Sequence, residues 1–241
     1  MNTAVAPTAI SPEAYKSWRT TSLGAVTEAI EQSLILELMG DLRGARVLDV
    51  GCGDGVLACA AASRGAVVIG IDPDPAMLDA ARARAERAAV EADFTDGRIE
   101  RLPFADASFD MVAAVTVLCF VGDASAACRE MARVLRPGGR LVLGELGRWS
   151  LWAGIRRLRG WLGAATWRAA RFRTGRELQA LAEHAGFRVT AIRGAAFYPP
   201  LGLCARLLAP VDSLLGRHTT LGAAFIALAA TKSPDPAERR S

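Results

Sequence analysis

Between residues 46 and 55 the chain runs Arg-Val-Leu-Asp-Val-Gly-Cys-Gly-Asp-Gly, an apolar stretch that ends at Asp49 and passes into a turn with glycine at 51, 53 and 55. Glycine at alternate positions strips side chains from one short turn, so a small ligand can lie directly against backbone. Small residues from Val56 to Ser63 follow and predict a helix. A strand, a glycine turn and a helix in that order form the nucleotide-binding arrangement of doubly wound α/β sheets, in which N–H groups at the helix start face the ligand. The bland alternative is a turn that only lets strand and helix pack closely.

The residues around the glycines bear on the ligand. A dinucleotide site places its third glycine three residues after the second, and Val56 stands there instead. Asp49 sits at the strand end, where a carboxylate repels a diphosphate and attracts an ammonium group. S-adenosylmethionine fits, since it carries a sulfonium and an α-ammonium and no phosphate. Downstream, Ala66 to Ile71 reads as a buried strand ending at Asp72, an acceptor able to take both hydroxyl protons of a ribose. Asp74-Pro75 matches the N-cap and first position of the next helix. The cap therefore goes to Asp74 and the ribose to Asp72.

With VLDVGCGDG at 47–55, GIDPDPAML at 70–78, RLPFADASFD at 101–110 and REMARVLRPGGRLVLGE at 129–145, the chain resembles the class I S-adenosylmethionine-dependent methyltransferases, in particular the subgroup called type 11. The resemblance spans roughly Tyr15 to Lys232. It implies a Rossmann-like, doubly wound α/β fold: a seven-stranded, mostly parallel sheet with its last strand antiparallel, helices on both faces, and the cofactor across the ends of the first strands. Cofactor contacts are then expected from Asp49, Gly51, Cys52, Gly53, Gly55, Asp72, Pro73 and Met77, with Thr116 at the end of a fourth strand running from Met111 to Val115. The third strand is expected over Val90 to Phe94. In the turn beyond it, relatives offer an acid and a backbone N–H to adenine, at the places held here by Arg98 and Ile99. Arginine cannot accept from an amino group, so Asp93 or Glu100 substitutes, or Arg98 stacks on the ring.

For the methyl acceptor, the resemblance points to residues just past the fourth strand: Thr116, Leu118, Cys119 and Phe120. Tyr15 and Trp18, ahead of a helix from Glu28 to Met39, resemble the entry segment that closes over the cofactor. They either lean on the sulfonium methyl through cation–π contact or staple that helix in place. Trp149 and Tyr198 complete the expected pocket. No essential base is identifiable. Glu145, at the end of the fifth strand, is a candidate, or else a solvated or capping acid; His218 and Tyr15 are others, with a surface turn the plainer reading of His218. His184 reads as a helix-end residue beside Gly186.

Between Gly147 and Arg173 lie four of the chain's five tryptophans and seven arginines, with no acid, although the whole chain carries only +4. The segment is an amphipathic lid at a membrane interface, a lid over an aromatic or acidic substrate, a phosphate-contacting surface, or a helix whose tryptophans pack and whose arginines are solvated. Nucleic acid is the weakest of these. Thr174 and Glu177 then form a capping box. Strands are expected over Arg188 to Arg193 and Gly222 to Thr231, joined by a long connection at 195–220.

At 241 residues, 51% hydrophobic and 22% charged, the chain suits one α/β domain at 11–232, with disorder expected at 1–10 and 233–241. No basic region precedes an apolar core at the N-terminus and no apolar run reaches a membrane span, so the expected location is cytoplasmic, with peripheral contact at the inner face of the membrane as the variant. Five cysteines form no CxxC pair, and no metal site is expected. The functional expectation is methyl transfer from S-adenosylmethionine to a small hydrophobic or aromatic acceptor, with a lipid or quinone at the membrane surface as the alternative. A nucleotide-dependent oxidoreductase and a non-catalytic S-adenosylmethionine-binding protein are the other classes.

Overall fold

The computed structural model describes residues 12–233, so the disorder expected at 1–10, and at 234–241, lies outside the described residues. The sheet has seven strands in the order β3-β2-β1-β4-β5-β7-β6. These are β1 (Arg46–Val50), β2 (Val67–Asp72), β3 (Asp93–Asp96), β4 (Phe109–Val115), β5 (Leu135–Leu146), β6 (Phe187–Ala195) and β7 (Phe225–Lys232). Strand β1 pairs in parallel with both β2 and β4, while β7 runs antiparallel to β5 and β6. The chain starts in the middle and winds outward twice, so strand order reverses between β1 and β4. Open α/β sheets leave a crevice at such a point, beyond the carboxyl ends of the strands.

Side chains alternate across the sheet as the two-residue period of a strand requires. Leu48, Val112, Ala114, Leu141, Leu143 and Leu228 enter one buried cluster, which α5 (Ala124–Val134) and α8 (Gly175–His184) cover with Met131, Cys128, Leu178 and Ala182. Val47, Met111, Ala113, Val142 and Ala227 enter the other, covered by Ile35, Leu38 and Met39 of α2 (Ser22–Met39) and Ala58 and Ala61 of α3 (Val56–Ala62). Both faces are covered, which is why the strand centres at 47–48, 111–115 and 141–143 read as continuous apolar runs rather than alternating ones.

Helix signals are met at the atomic level. Asp74 accepts from the Ala76 N–H at 2.9 Å and Pro75 opens α4 (Pro75–Ala88), while Thr174 and Glu177 form the reciprocal capping box of α8. The third strand is displaced from its expected place. Ala89 takes a left-handed φ of 50° and Val90 donates to the Ala85 carbonyl, so these residues close α4 and pairing with β2 begins only at Asp93. The Trp/Arg-rich stretch folds as α6 (Leu151–Trp161) and α7 (Ala165–Ala169), and the long connection before β7 holds α9 (Gly202–His218). At the N-terminal side, α1 (Pro12–Thr20) precedes α2.

Candidate active site

The glycine turn adopts the backbone that its sequence permits. Gly51, Gly53 and Gly55 have φ of 66°, 53° and 78°, in the left-handed region open to residues without a Cβ. At Gly51 space is closed as well, since a Cβ would lie 2.5 Å from the Val117 side chain. Asp72 holds the turn from the neighbouring strand, accepting the Gly53 N–H at 3.0 Å on one carboxylate oxygen and the Asp74 N–H at 2.9 Å on the other. A carboxylate has about four acceptor positions, so both oxygens keep capacity for hydroxyl donors. Asp49 is buried and one of its oxygens has no hydrogen-bond partner; burial, reinforced by the nearby Asp72 charge, pushes its pKa up to about 7. Such an orphaned acid favours a cationic partner supplied by a ligand.

At the end of β4 a non-glycine residue, Thr116, takes φ 55°, with its N–H donated to Gly144 at 2.7 Å and its hydroxyl to Val115 at 2.7 Å. Left-handed backbone at a β-branched residue costs about 1–3 kcal/mol and persists where the surroundings impose it. It turns the chain at the mouth of the crevice.

The ends of β1, β2, β3 and β4 enclose a cavity of about 490 Å³. Its wall includes Asp49, Gly51, Cys52, Gly53, Asp72, Pro73, Met77, Arg98, Ile99, Thr116, Trp18, Phe120 and Tyr15, so most of the residues expected at the site are brought together. Asp96 and Glu100 also line it and Asp93 does not, which makes Asp96 and Glu100 the carboxylates beside Arg98 and Ile99. Arg98 is exposed, and its nearest carboxylate, Glu100, is 3.8 Å away.

Six expectations are corrected. Gly55 stands off the cavity wall, where it caps α3 with its Cα hydrogens against Ala81. Cys119 is fully buried among Leu146, Ala153 and Phe172, and Tyr198 is buried with its hydroxyl 2.9 Å from that of Thr27 and its carbonyl accepting the Trp152 indole N–H. Trp149 is exposed and away from the cavity. His218 lies exposed at the end of α9. Glu145 is buried 2.9 Å from the Leu118 N–H that it accepts and 3.5 Å from Arg173, so it braces the 117–120 loop and does not reach the cavity. Burial holds its pKa up to about 7 against the pull of Arg173.

The cover of the cavity comes from the N-terminal helices, not from residues 147–173, none of which is on its wall. Arg19 of α1 reaches both Glu28 of α2 and Asp54 of the glycine turn, and Arg84 of α4 adds a bond to the Asp54 carboxylate at 2.5 Å and to its carbonyl at 2.8 Å. Burial disfavours the Asp54 charge, but the hydrogen bonds and charges of Arg19 and Arg84 outweigh it and hold the pKa below the usual carboxylate range. Asp54, Arg19, Glu28, Glu31 and Gln32 are site residues that the motifs do not single out. The available signal was the spacing 28, 31, 32 and 35, which places four residues on one helical stripe.

With this geometry in view, likeness to other proteins becomes informative. A family model described as a methyltransferase domain matches residues 48–143. Over 166 residues the chain is 34% identical to a ubiquinone biosynthesis O-methyltransferase of Azorhizobium caulinodans, covering 67% of this chain and 66% of that one. It is 33% identical over 166 residues to a protein of the same name from Methylobacterium sp., covering 67% of each. A solved structure from Thermotoga maritima, named as an S-adenosylmethionine-dependent methyltransferase and "possible histamine N-methyltransferase", superposes with a TM-score of 0.71 at 27% identity over 92% of this chain and 95% of that one. The chain belongs to the S-adenosylmethionine-dependent methyltransferases. The matched stretch spans about two-thirds of the length of the first two relatives.

S-adenosylmethionine is therefore the methyl donor, and the cavity of this methyltransferase fits it. The orphaned Asp49 oxygen suits an ammonium, and the open backbone at Gly53, where a Cβ would meet nothing within 4 Å, leaves room for a ligand against the turn. When bound, the donor supplies an electrophilic methyl group, and the protein's task is to hold an acceptor in line with it. No group of three or more histidine, cysteine or acidic side chains able to hold a metal occurs among the described residues.

Proposed function

We propose that this methyltransferase transfers the methyl group to a hydroxyl oxygen of an aromatic ring bearing an apolar substituent, as a quinone precursor does, and takes that acceptor at a membrane surface. The composition of the cavity carries this reading. Away from the glycine turn its wall sets Tyr15, Trp18, Ile35, Val117, Phe120 and Val121, rings and branched aliphatic groups that suit an aromatic body, beside the polar stripe of Glu28, Glu31 and Gln32, which suits a hydroxyl on that ring. The two relatives named for ubiquinone biosynthesis support the same chemistry. In this arrangement Asp49, Gly51, Cys52 and Gly53 receive the amino-acid end of the donor and Asp72 its ribose. Pro73, Met77, Arg98 and Ile99 enclose the adenine, with Asp96 or Glu100 accepting from its amino group.

The outer surface supports a lipid-facing role. Along α9, Leu203, Leu207, Val211 and Leu214 are exposed at helical spacing, and Trp149, Leu158, Trp161 and Leu162 are exposed in and around α6. Arg157 and Arg159 of α6, Arg168 of α7, Arg171 just beyond it and Arg206 of α9 are exposed as well. Apolar groups that enter the acyl boundary while arginines meet anionic head groups are the pattern of an interfacial helix. No described helix is long and apolar enough to cross a membrane.

The test is methyl transfer from radiolabelled S-adenosylmethionine to lipid extracts rich in quinone precursors. Label recovered in an alkali-stable aryl ether supports the reading, and label found only on amines or carboxylates contradicts it. Sedimentation with phosphatidylglycerol vesicles is expected to weaken in salt and to fall when Leu203, Leu207 and Leu214 become serine. Sedimentation unchanged by both would remove the membrane part.

A further inference from the structure

Four residues of α2, Glu28, Glu31, Gln32 and Ile35, form one stripe along the cavity wall. Three of them are committed elsewhere. Glu28 pairs with Arg19, the Gln32 amide donates to the Val56 carbonyl at 3.4 Å, and Ile35 is packed in the core. Glu31 is half-buried and makes no hydrogen bond or ion pair among the described residues. A carboxylate half-withdrawn from water with no protein partner is open to a donor that a ligand brings.

Its surroundings come from several elements. Tyr15 of α1 and Phe120 beyond β4 share the cavity wall with it, and Arg156 of α6, Glu28 of α2 and Asp212 of α9 act on it electrostatically, as it acts on Tyr15 and Tyr198. Arg156 is itself fixed between two rings, 5.2 Å from the centroid of Trp152 and 4.8 Å from that of Trp167. The buried part of the Trp/Arg segment thus places one cation near the α2 stripe, although none of that segment reaches the cavity wall.

We propose that Glu31 is the general base of the reaction, taking the proton from the acceptor's ring hydroxyl while Tyr15, Trp18 and Phe120 hold the ring. The inference rests on the reading of the acceptor as a hydroxylated aromatic. The O–H bond of the acceptor breaks and its proton passes to a Glu31 oxygen. The acceptor oxygen forms the new bond to the methyl carbon, the C–S bond breaks, and the sulfur keeps that electron pair as the neutral thioether of S-adenosylhomocysteine. Glu31 then returns its proton to water. Burial, the largest influence on Glu31, moves its pKa up to about 7, with Arg156 pulling it down and Glu28 and Asp212 raising it. A base poised there is half-ionised at neutral pH and strong enough to assist a phenol.

The experiment uses full-length enzyme with tert-butylcatechol and protocatechuate as probe acceptors, comparing wild type, Glu31→Gln and Glu31→Asp. In wild type, kcat/KM is expected to fall as pH drops through about 7, because Glu31 gains a proton. Glu31→Gln is expected to lower kcat by about 100- to 1,000-fold and to abolish that acid limb, with Glu31→Asp restoring part of the rate. S-adenosylhomocysteine affinity, measured by calorimetry, should stay within about twofold, since the base does not hold the donor. A Glu31→Gln enzyme that keeps both rate and acid limb on a catechol that wild type methylates overturns the assignment of Glu31 alone. A variant that loses S-adenosylhomocysteine affinity also overturns it, by moving Glu31 to the donor site. If wild type methylates neither catechol, the acceptor reading itself fails and the assignment falls with it.

Discussion

The glycine turn and the helices α1 and α2 border the same cavity and are built on opposite principles. The turn works by absence: three glycines take positive φ, Gly51 and Gly53 leave bare backbone on the cavity wall while Gly55 caps α3, and the acids Asp49 and Asp72 are short, buried and held by the sheet. The helical cover works by long side chains, Arg19, Glu28, Glu31, Tyr15 and Trp18, which reach in from elements otherwise set on the surface. A rigid sheet end suits a ligand common to a whole family, whereas a cover tied by a few ion pairs is the part free to vary with the acceptor.

That contrast can be broken by substitution. The largest effect is expected at Gly51. Replacing it with valine places a Cβ against Val117 in a left-handed backbone, which should cost about 2–4 kcal/mol and lower the thermal midpoint by several degrees. Wild-type stability in Gly51→Val would remove the steric argument for the turn. Next comes the clamp. Arg19→Ala should weaken S-adenosylhomocysteine binding by about tenfold through loss of the tie between α1, α2 and Asp54, with little change in thermal midpoint because Arg84 still pairs with Asp54.

The same clamp predicts a pH effect. The folded-state pKa of Asp54 lies below its unfolded value, so its contribution to stability is present above the ordinary aspartate range and is lost as acid carries the pH down through the depressed value. Asp54→Asn should flatten the acid side of the stability curve, as read by thermal unfolding from neutral pH downward. At the small end, Trp149→Ala and His218→Ala are expected to leave S-adenosylhomocysteine affinity within about twofold, since neither side chain reaches the cavity. A tenfold loss in either would redraw its boundary.

The two regions also differed in how far the sequence disclosed them. Strands β1, β2, β4 and β5 and the turn between β1 and α3 were legible because local chemistry alone specifies them: apolar runs buried on both faces, glycines where φ must be positive, Asp74-Pro75 at a helix start. The third strand slipped because Val90 looks like strand but serves to close α4. Cys119, Tyr198 and Glu145 follow chemistry-rich positions in the chain, yet their directions are set by tertiary packing that a linear reading does not contain. Arg19, Glu31 and Gln32 were missed for the converse reason: on a helix they resemble ordinary surface charge until the fold lays that stripe along the crevice. The tryptophan-rich segment was conspicuous and stands off the cavity wall, with Trp152 packed beneath Tyr198 and Trp161 turned to the outside.

The sheet end, with Asp72 and the glycine turn, is the proposed donor site on which the other assignments rest. Its most direct test is calorimetric titration of S-adenosylhomocysteine into wild type and Asp72→Ala. One molecule should bind per chain, and the variant should bind at least about 30-fold more weakly while retaining a cooperative unfolding transition, as expected for losing charge-assisted bonds to two ribose hydroxyls. Equal affinity in the folded variant would contradict the placement of the donor across Asp72 and the glycine turn.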